Sequence, residues 1–470
     1  MAATRRWRWR LAVILALGAA AALLAYSQVT TSLAERQALR AAGFSGKLEG
    51  PRAGARLLIV APHPDDEALG CAGLMQRAAT AGAAVHVALM TNGDATELSV
   101  LFGEKELPLS PKAFLKLGND RQAESLRAMG GLGIPADHVH FLSFPNDGLP
   151  DLWGPAHWSP SSLYTSPYTH VDRSPYPNSF TPQALYCGQQ VLSDLIALMR
   201  QVRPTAIFVT DPQDIHHDHW ATAAFVCCAL ETLRVRKVAW AARTSIYTYL
   251  VHWPHWPVPN RFRPQMELAV PPDLQQVSTR PWLRFPLTPA EVQAKAAAIR
   301  KYRTQVPYLD HLLLALARTN EMFGTQPYRR LGPDDSARWV DERDPRRKLG
   351  GADILAVSVV RQGGVTVRAE VRCRPEPLPT HGYAAFDVRT WDRDGRPVIA
   401  TVYWREPETP TALEHDKLGL HALPVTVEQT APGYWRIGPL SLPAEARDMP
   451  ALVGCWGSAG GRLTDPAFPE

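Results

Sequence analysis

The chain has 470 residues, 46% of them hydrophobic and 20% charged, with a formal net charge of +5. That length predicts two or three domains, and the composition excludes a disordered chain. Arg5, Arg6, Arg8 and Arg10 carry four of the positive charges, so the remainder is close to neutral, and no basic stripe marks a nucleic-acid surface.

The arginines precede an apolar run from Leu11 to Tyr26. Residues 1–30 therefore read as a signal-anchor, with the arginines cytoplasmic and the remainder exported into the cell envelope. Ala25-Tyr26-Ser27-Gln28 is a poor cleavage site, which favours an anchor over a cleaved signal peptide. Residues 31–55 read as a linker.

From residue 56 strands and helices alternate. Leu57 to Ala61 is an apolar strand, followed by the loop His63-Pro64-Asp65-Asp66-Glu67 and a small-residue helix from Ala68 to Ala81. Val85 to Thr91, Val139 to Phe144, Thr205 to Thr210 and Ser245 to Val251 are further strands. Helical patterns cover Asp120 to Met129, Leu185 to Met199, Ala221 to Leu233 and Thr288 to Tyr302. This alternation predicts an α/β fold with a doubly wound, mostly parallel, Rossmann-like sheet over residues 56–345.

Two proline- and aromatic-rich stretches interrupt the pattern, residues 150–183 and 252–260. They read either as irregular surface loops or as an aromatic wall on which sugar rings stack. After about residue 345, short period-two segments such as Val365 to Val371, separated by Gln362-Gly363-Gly364 and Asp394-Gly395, predict an all-β sandwich over 346–470. None of the six cysteines has C-x-x-C spacing, so a cysteine zinc site is unsupported. Cys373 and Cys455 could pair in an exported chain, whereas Cys71, Cys227 and Cys228 read as buried hydrophobes.

The chemistry concentrates in two loops. His63, Asp65 and Asp66 follow one strand; Asp214-Ile215-His216-His217-Asp218-His219 follows another and opens a helix. Open α/β sheets bind ligands at the carboxyl ends of their strands, where such loops can converge. His63, Asp66 and one late histidine would give three metal ligands and leave a position for water, the pattern of metal-assisted hydrolysis.

These residues resemble the PIG-L / LmbE-like deacetylase family, whose signature is a strand followed by His-Pro-Asp-Asp-Glu and, later, a His-x-Asp-His loop. The resemblance covers roughly residues 55–320. It implies removal of an N-acetyl group from a GlcNAc-type sugar or a related amide, with Zn2+ or another divalent metal as cofactor. It implies that His63, Asp66 and His219 are metal ligands. It makes Asp65 the general base that deprotonates the attacking water and returns the proton to the leaving amine. It places His216 as oxyanion stabiliser, with Asp218 orienting it, and leaves His217 as a solvent-facing spare. Arg121, in an Arg-x-x-Glu helix with Glu124, and Asp147, in the loop after the third strand, resemble substrate-binding residues. For these two the alternatives are an i,i+3 surface salt bridge and a plain turn.

The expected activity is that of an exported deacetylase whose partner is an N-acetylated glycan, with an exopolysaccharide or a glycolipid as its setting. An amidase for another acylated amine or thiol conjugate, and a non-catalytic carbohydrate-binding protein, are the competing expectations.

Overall fold

The computed structural model describes residues 42–96, 110–277, 280–325, 328–340, 354–373, 383–404, 411–416, 419–422, 424–431, 434–459 and 462–467. The expected signal-anchor and the first part of the linker, residues 31–41, lie outside them. Among the described residues no helix is long and apolar enough to cross a membrane.

The larger unit is built on an eight-stranded sheet. Its strands are β1 (Gly46–Lys47), β2 (Arg56–Ala61), β3 (Ala84–Thr91), β4 (Val139–Phe144), β5 (Ala206–Thr210), β6 (Ser245–Tyr249), β7 (Trp282–Pro286) and β8 (Asn320–Thr325). Their spatial order is β1-β7-β8-β6-β5-β2-β3-β4. The run from β6 to β4 is parallel, while β8 is antiparallel to both its neighbours. The doubly wound sheet is thus as expected. The antiparallel β7–β8 pair is an addition, because Trp282–Pro286 has no clean alternation and Asn320–Thr325 carries a polar start.

Buried on both faces, β2 reads as an almost unbroken apolar run. Its pleat sends Leu57, Ile59 and Ala61 into one core and Leu58 and Val60 into another. The helices around the sheet are α1 (Asp66–Thr80), α2 (Pro111–Gly131), α3 (Leu149–Trp153), α4 (Gly188–Val202), α5 (His217–Val235), α6 (Pro272–Val277), α7 (Pro289–Ile299) and α8 (Val306–Leu314). Helices α1, α7 and α8 close the first core, and α4 and α5 close the second. Thr288 caps α7 through a reciprocal capping box with Glu291.

The chain runs from β2 outward through β3 to β4, then returns to place β5 on the other side of β2. The strand order therefore reverses between β2 and β5. The crevice at their carboxyl ends is the topological switch point at which such sheets bind ligands. Both chemistry-bearing loops leave from those two ends.

Strands β9 (Ser336–Val340), β10 (Ile354–Gln362), β11 (Thr366–Cys373), β12 (Tyr383–Trp391), β13 (Pro397–Trp404), β14 (Thr411–Asp416), β15 (Gly419–Ala422), β16 (Val427–Ala431), β17 (Tyr434–Ser441), β18 (Leu452–Ala459) and β19 (Arg462–Ala467) form the second unit. They make two antiparallel sheets, β16-β17-β11-β10-β9 and β15-β14-β13-β12-β18-β19, around a core that includes Val367, Val371, Phe386, Val402 and Ile437. This is the expected sandwich. Because β9 pairs with β10, the sandwich sheet opens before residue 346. Cys373 and Cys455 are both buried in its core.

The sandwich packs on the larger unit through a buried cation. The Arg389 guanidinium lies 3.7 Å from the Trp153 ring centroid and 4.7 Å from that of Trp158. It is also paired with Asp387 at 2.8 Å. Beside it, Trp391 Nε1 donates to Thr232 Oγ1 on α5 at 2.9 Å. The aromatic stretch 150–183 is therefore mostly interior. Trp153, Trp158 and Tyr176 are buried, so they cannot serve as a sugar-stacking wall. Tyr168 alone among its aromatics lines the cavity described next.

Candidate active site

The β2 loop turns sharply into α1. Asp65, the residue before the helix, has φ 126° and ψ −32°, a conformation that non-glycine residues adopt only when their surroundings enforce it. The enforcing contacts are visible. Arg121 Nη2 donates to Pro64 O at 2.6 Å and to Asp65 Oδ2 at 3.3 Å, and Nη1 donates to Gly93 O at 3.1 Å. Glu67 Oε2 accepts the Asp65 N–H at 3.0 Å, and its other oxygen takes the Tyr302 hydroxyl. Asp66 sits in the first turn of α1, where backbone N–H groups favour an anion, and Oδ2 accepts the His63 N–H at 3.0 Å.

The β5 loop brings Asp214, His216, Asp218 and His219 to the same crevice. Asp66 Oδ2 is 3.2 Å from His63 Nδ1 and 3.2 Å from His219 Nε2. Tetrahedral ligands at about 2.0–2.1 Å from one cation stand roughly 3.3 Å apart, so these separations fit a shared metal ion. His219 strengthens the fit: its ring is fully buried, yet neither nitrogen makes a hydrogen bond of acceptable geometry. Ligand atoms of His63, His216 and His219 lie within 4.8 Å of one another, as do those of Asp66, His219 and His252.

The electrostatics match. Burial pushes the His63 imidazolium down, but hydrogen bonds to Asp218 and Asp66 outweigh it and raise the pKa to about 9. His219 is likewise disfavoured by burial and then raised to about 10 by Asp214 and Asp66. Burial opposes ionisation of Asp66, yet the two imidazoles hold it well below the usual carboxylate range. The pocket is built to hold positive charge. For Asp65 the balance is reversed: burial raises it to about 6, only partly countered by Arg121.

His216 caps α5, and its Nδ1 accepts the Asp218 N–H at 3.2 Å. Burial and the neighbouring imidazoles hold its pKa well below 6.5, so the ring is neutral and carries its proton on Nε2. The Asp218 carboxylate does not orient this ring, contrary to the sequence expectation. Its Oδ2 faces His63 Nε2 at 3.1 Å and accepts the Asp147 N–H at 2.7 Å, while Oδ1 accepts the Leu149 N–H at 3.2 Å. Asp218 therefore fixes His63, as a carboxylate behind a metal-binding histidine does. Nor is His217 a solvent-facing spare. It stacks on His216 at 4.6 Å and bonds Asp147 Oδ1 through Nε2 at 3.0 Å.

These residues line a cavity of about 460 Å³ whose walls include Asp65, Arg121, Asn146, Asp147, Tyr168, His216, His252, Leu69, Leu309 and Leu313. Asp147 is held at φ 62° and accepts the Tyr168 hydroxyl at 3.2 Å, so it is more than a plain turn. Arg121 is 3% exposed and tied to the β2 loop. Its partner is not Glu124, which binds Thr304 N at 2.9 Å and Oγ1 at 2.7 Å, so the surface salt bridge is excluded.

Sequence reasoning placed Asp214 in the second loop without a role and His252 only in the 252–260 stretch. Asp214 accepts N–H groups of His216, Val251 and His252, and faces His219 Nδ1 at 3.2 Å and His252 Nδ1 at 3.3 Å. His252 follows β6, the strand beside β5; that position at a strand's carboxyl end was the available signal.

Residues 58–230 match the family model PIG-L, GlcNAc-PI de-N-acetylase. These residues are a PIG-L domain. Its two loops are the ones that meet between β2 and β5. Among curated relatives, a 1D-myo-inositol 2-acetamido-2-deoxy-alpha-D-glucopyranoside deacetylase of Mycobacterium sp. (strain JLS) is 30% identical over 212 residues, 44% of this chain and 61% of the relative. The chain thus spans less than two thirds of that relative's length. Solved structures similar to this chain include the conserved protein TT1542 from Thermus thermophilus, at 21% identity and TM-score 0.36, covering 58% of this chain and 94% of that one. Another is the N,N'-diacetylchitobiose deacetylase from Pyrococcus horikoshii, at 17% identity and TM-score 0.35, covering 58% and 83%.

Proposed function

We propose that this chain is a metal-dependent N-deacetylase acting on an N-acetylated amino sugar of GlcNAc type, with acetate and the free amine as products. The carrying observation is the single Asp66 oxygen that faces His63 Nδ1 and the fully buried His219 Nε2 at equal distance. His63, Asp66 and His219 hold the cation, and zinc suits this donor set. When bound, the cation supplies Lewis-acid polarisation of the amide carbonyl and acidifies water.

The chain's own residues do the remainder. Asp65 takes a proton from the attacking water on its carboxylate and delivers it to the departing nitrogen. Its constrained backbone and the Arg121 contact aim that carboxylate into the cavity. His216 offers a neutral Nε2–H to the oxyanion of the tetrahedral intermediate. Asp147, fixed by His217 and Tyr168, accepts from a sugar hydroxyl, while Arg121 supports the loop that carries the base. Placement in the cell envelope rests on the pattern from Arg5 to Tyr26, and fractionation of the full chain tests it.

One feature favours a second reading. Leu69, Leu309 and Leu313 form an apolar side of the same cavity, which suits a longer acyl chain or an apolar substituent. Acetyl and longer N-acyl glucosamines assayed side by side separate the two. The leading reading requires acetate release that is lost in Asp65→Asn with metal retained. Full activity in that variant would exclude it, and tight sugar binding without turnover would favour a carbohydrate-binding protein.

A further inference from the structure

The sandwich carries a second cavity, on the face turned away from the larger unit. Trp391 and Ile399, on the outer face of the six-stranded sheet, pack into the second core of the larger unit. The outer face of the five-stranded sheet therefore points the opposite way. On it lies a cavity of about 410 Å³, within the range of about 300–1,000 Å³ that ligand pockets occupy.

Strand register builds this cavity. Val357 and Val371 point into the sandwich core, so their neighbours along β10 and β11 point outward. One rung runs Arg338, Ser358, Glu370, Arg436 across β9, β10, β11 and β17. Neighbouring strands stand about 4.8 Å apart, so that rung is about 14 Å long. The next rung runs Ala356, Arg372, Tyr434. Ala356 and Ser358 are small and keep the floor low, while Tyr434 stands 47% exposed at one wall. The Arg372 guanidinium lies 6.0 Å from the centroid of that ring.

We propose that this groove binds an acidic polysaccharide, with a uronate-type carboxylate on the arginines and a pyranose ring against Tyr434. The described lining carries three guanidinium groups against the one carboxylate of Glu370. A guanidinium matches a carboxylate as a bidentate fork, and an exposed tyrosine ring offers apolar area with its hydroxyl still in water. Arg436 Nε is 3.7 Å from Glu370 and its Nη1 is 3.8 Å from Glu428, with all three side chains more than half exposed. Exposed pairs this loose contribute little, so Arg436 turns to a ligand carboxylate, and Glu370 to a sugar hydroxyl, at small cost. The same two glutamates would repel the phosphates of a nucleic acid, whose affinity comes from phosphate neutralisation. For a polymeric substrate, a grip here raises the effective concentration of the chain at the catalytic crevice without touching the chemistry.

The test uses the full chain and a glycan that has no N-acetyl group, so its result is independent of the deacetylase reading. Calorimetry should show wild type binding oligogalacturonate and not dextran. Arg372→Gln and Tyr434→Ala should each weaken that binding about tenfold or more, while the thermal melt and acetate release from a small N-acetylglucosaminide stay at wild-type values. Poly-glutamate, which offers carboxylates without pyranose rings, should bind about tenfold more weakly than oligogalacturonate. Absence of oligogalacturonate binding to wild type overturns the proposal without reference to any variant. Equal binding of poly-glutamate, or undiminished binding in Tyr434→Ala, overturns it in favour of a nonspecific basic surface. Oligogalacturonate bound as predicted, with no acetate release from any of these proteins, upholds this site and sinks the catalytic proposal alone.

Discussion

Glu67 is the sharpest point at which to perturb the site, because it touches no substrate and yet fixes the base. It is completely buried, with one oxygen on the Asp65 N–H at 3.0 Å and the other on the Tyr302 hydroxyl. Backbone strain of the kind at Asp65 costs about 1–3 kcal/mol, and a hydrogen bond to a charged acceptor contributes about 1.5–3 kcal/mol. Glu67→Ala removes the contact while the strain remains, so Asp65 relaxes from its aimed position. A loss of about 1.4–2.8 kcal/mol corresponds to a fall of roughly 10- to 100-fold in kcat. KM and bound metal should stay near wild type, since no proposed ligand or substrate contact is removed. Glu67→Gln, which can still accept from Asp65 N–H and donate to Tyr302, should lose less than about 10-fold. Free-amine release, with metal content and a thermal melt as controls, reads the outcome. A folded, metal-loaded Glu67→Ala with wild-type kcat would refute the reasoning.

Other consequences can be checked separately. Because Asp65 is raised to about 6 and must be ionised to accept a proton, kcat/KM should fall as pH drops through about 6; an acid limb near 4 would contradict this. Arg121 holds that pKa down, so Arg121→Gln should move the acid limb to higher pH, whereas an unmoved profile would deny the contact a role. With His63 at about 9 and His219 at about 10 in the metal-free protein, metal uptake at pH 7.5 should release about two protons. Calorimetry in buffers of different ionisation enthalpy measures that number, and buffer-independent heats would argue against these ligands. Arg389→Met would strand the buried Asp387 carboxylate and cost about 3–5 kcal/mol of stability; a denaturant midpoint unchanged from wild type would show that this pair does not secure the sandwich.

Much of this arrangement was legible in the sequence because local patterns carried it. Leu57 to Ala61 is apolar at every position, as a strand buried on both faces must be, and the five parallel strands were placed within one or two residues. The convergence of the two loops followed from the doubly wound topology. The rest depended on contacts between segments distant in sequence. Asp218 next to His216 suggests a local pair, but the turn into α5 sends its carboxylate to His63. The tryptophans of 150–183 read as part of a surface loop or of an aromatic wall; only the packing of Arg389 reveals that Trp153 and Trp158 form an inter-unit seam. Asp214 stood in the second loop without a role and His252 had no motif spacing to mark it, since their relation arises from β6 lying beside β5. The conformation of Asp65 likewise depends on Arg121, Glu67 and Tyr302, which come from three separate segments of the chain.

The central claim is that two loops hold one cation between them, with Asp65 beside it and unbound. Anomalous diffraction at the zinc edge from zinc-loaded crystals tests it directly. The account predicts one peak in this crevice, about 2.0–2.2 Å from His63 Nδ1, Asp66 Oδ2 and His219 Nε2, with the Asp65 carboxylate outside coordination distance. A peak held by His216 and His252 without Asp66, or one coordinated by Asp65, would contradict it.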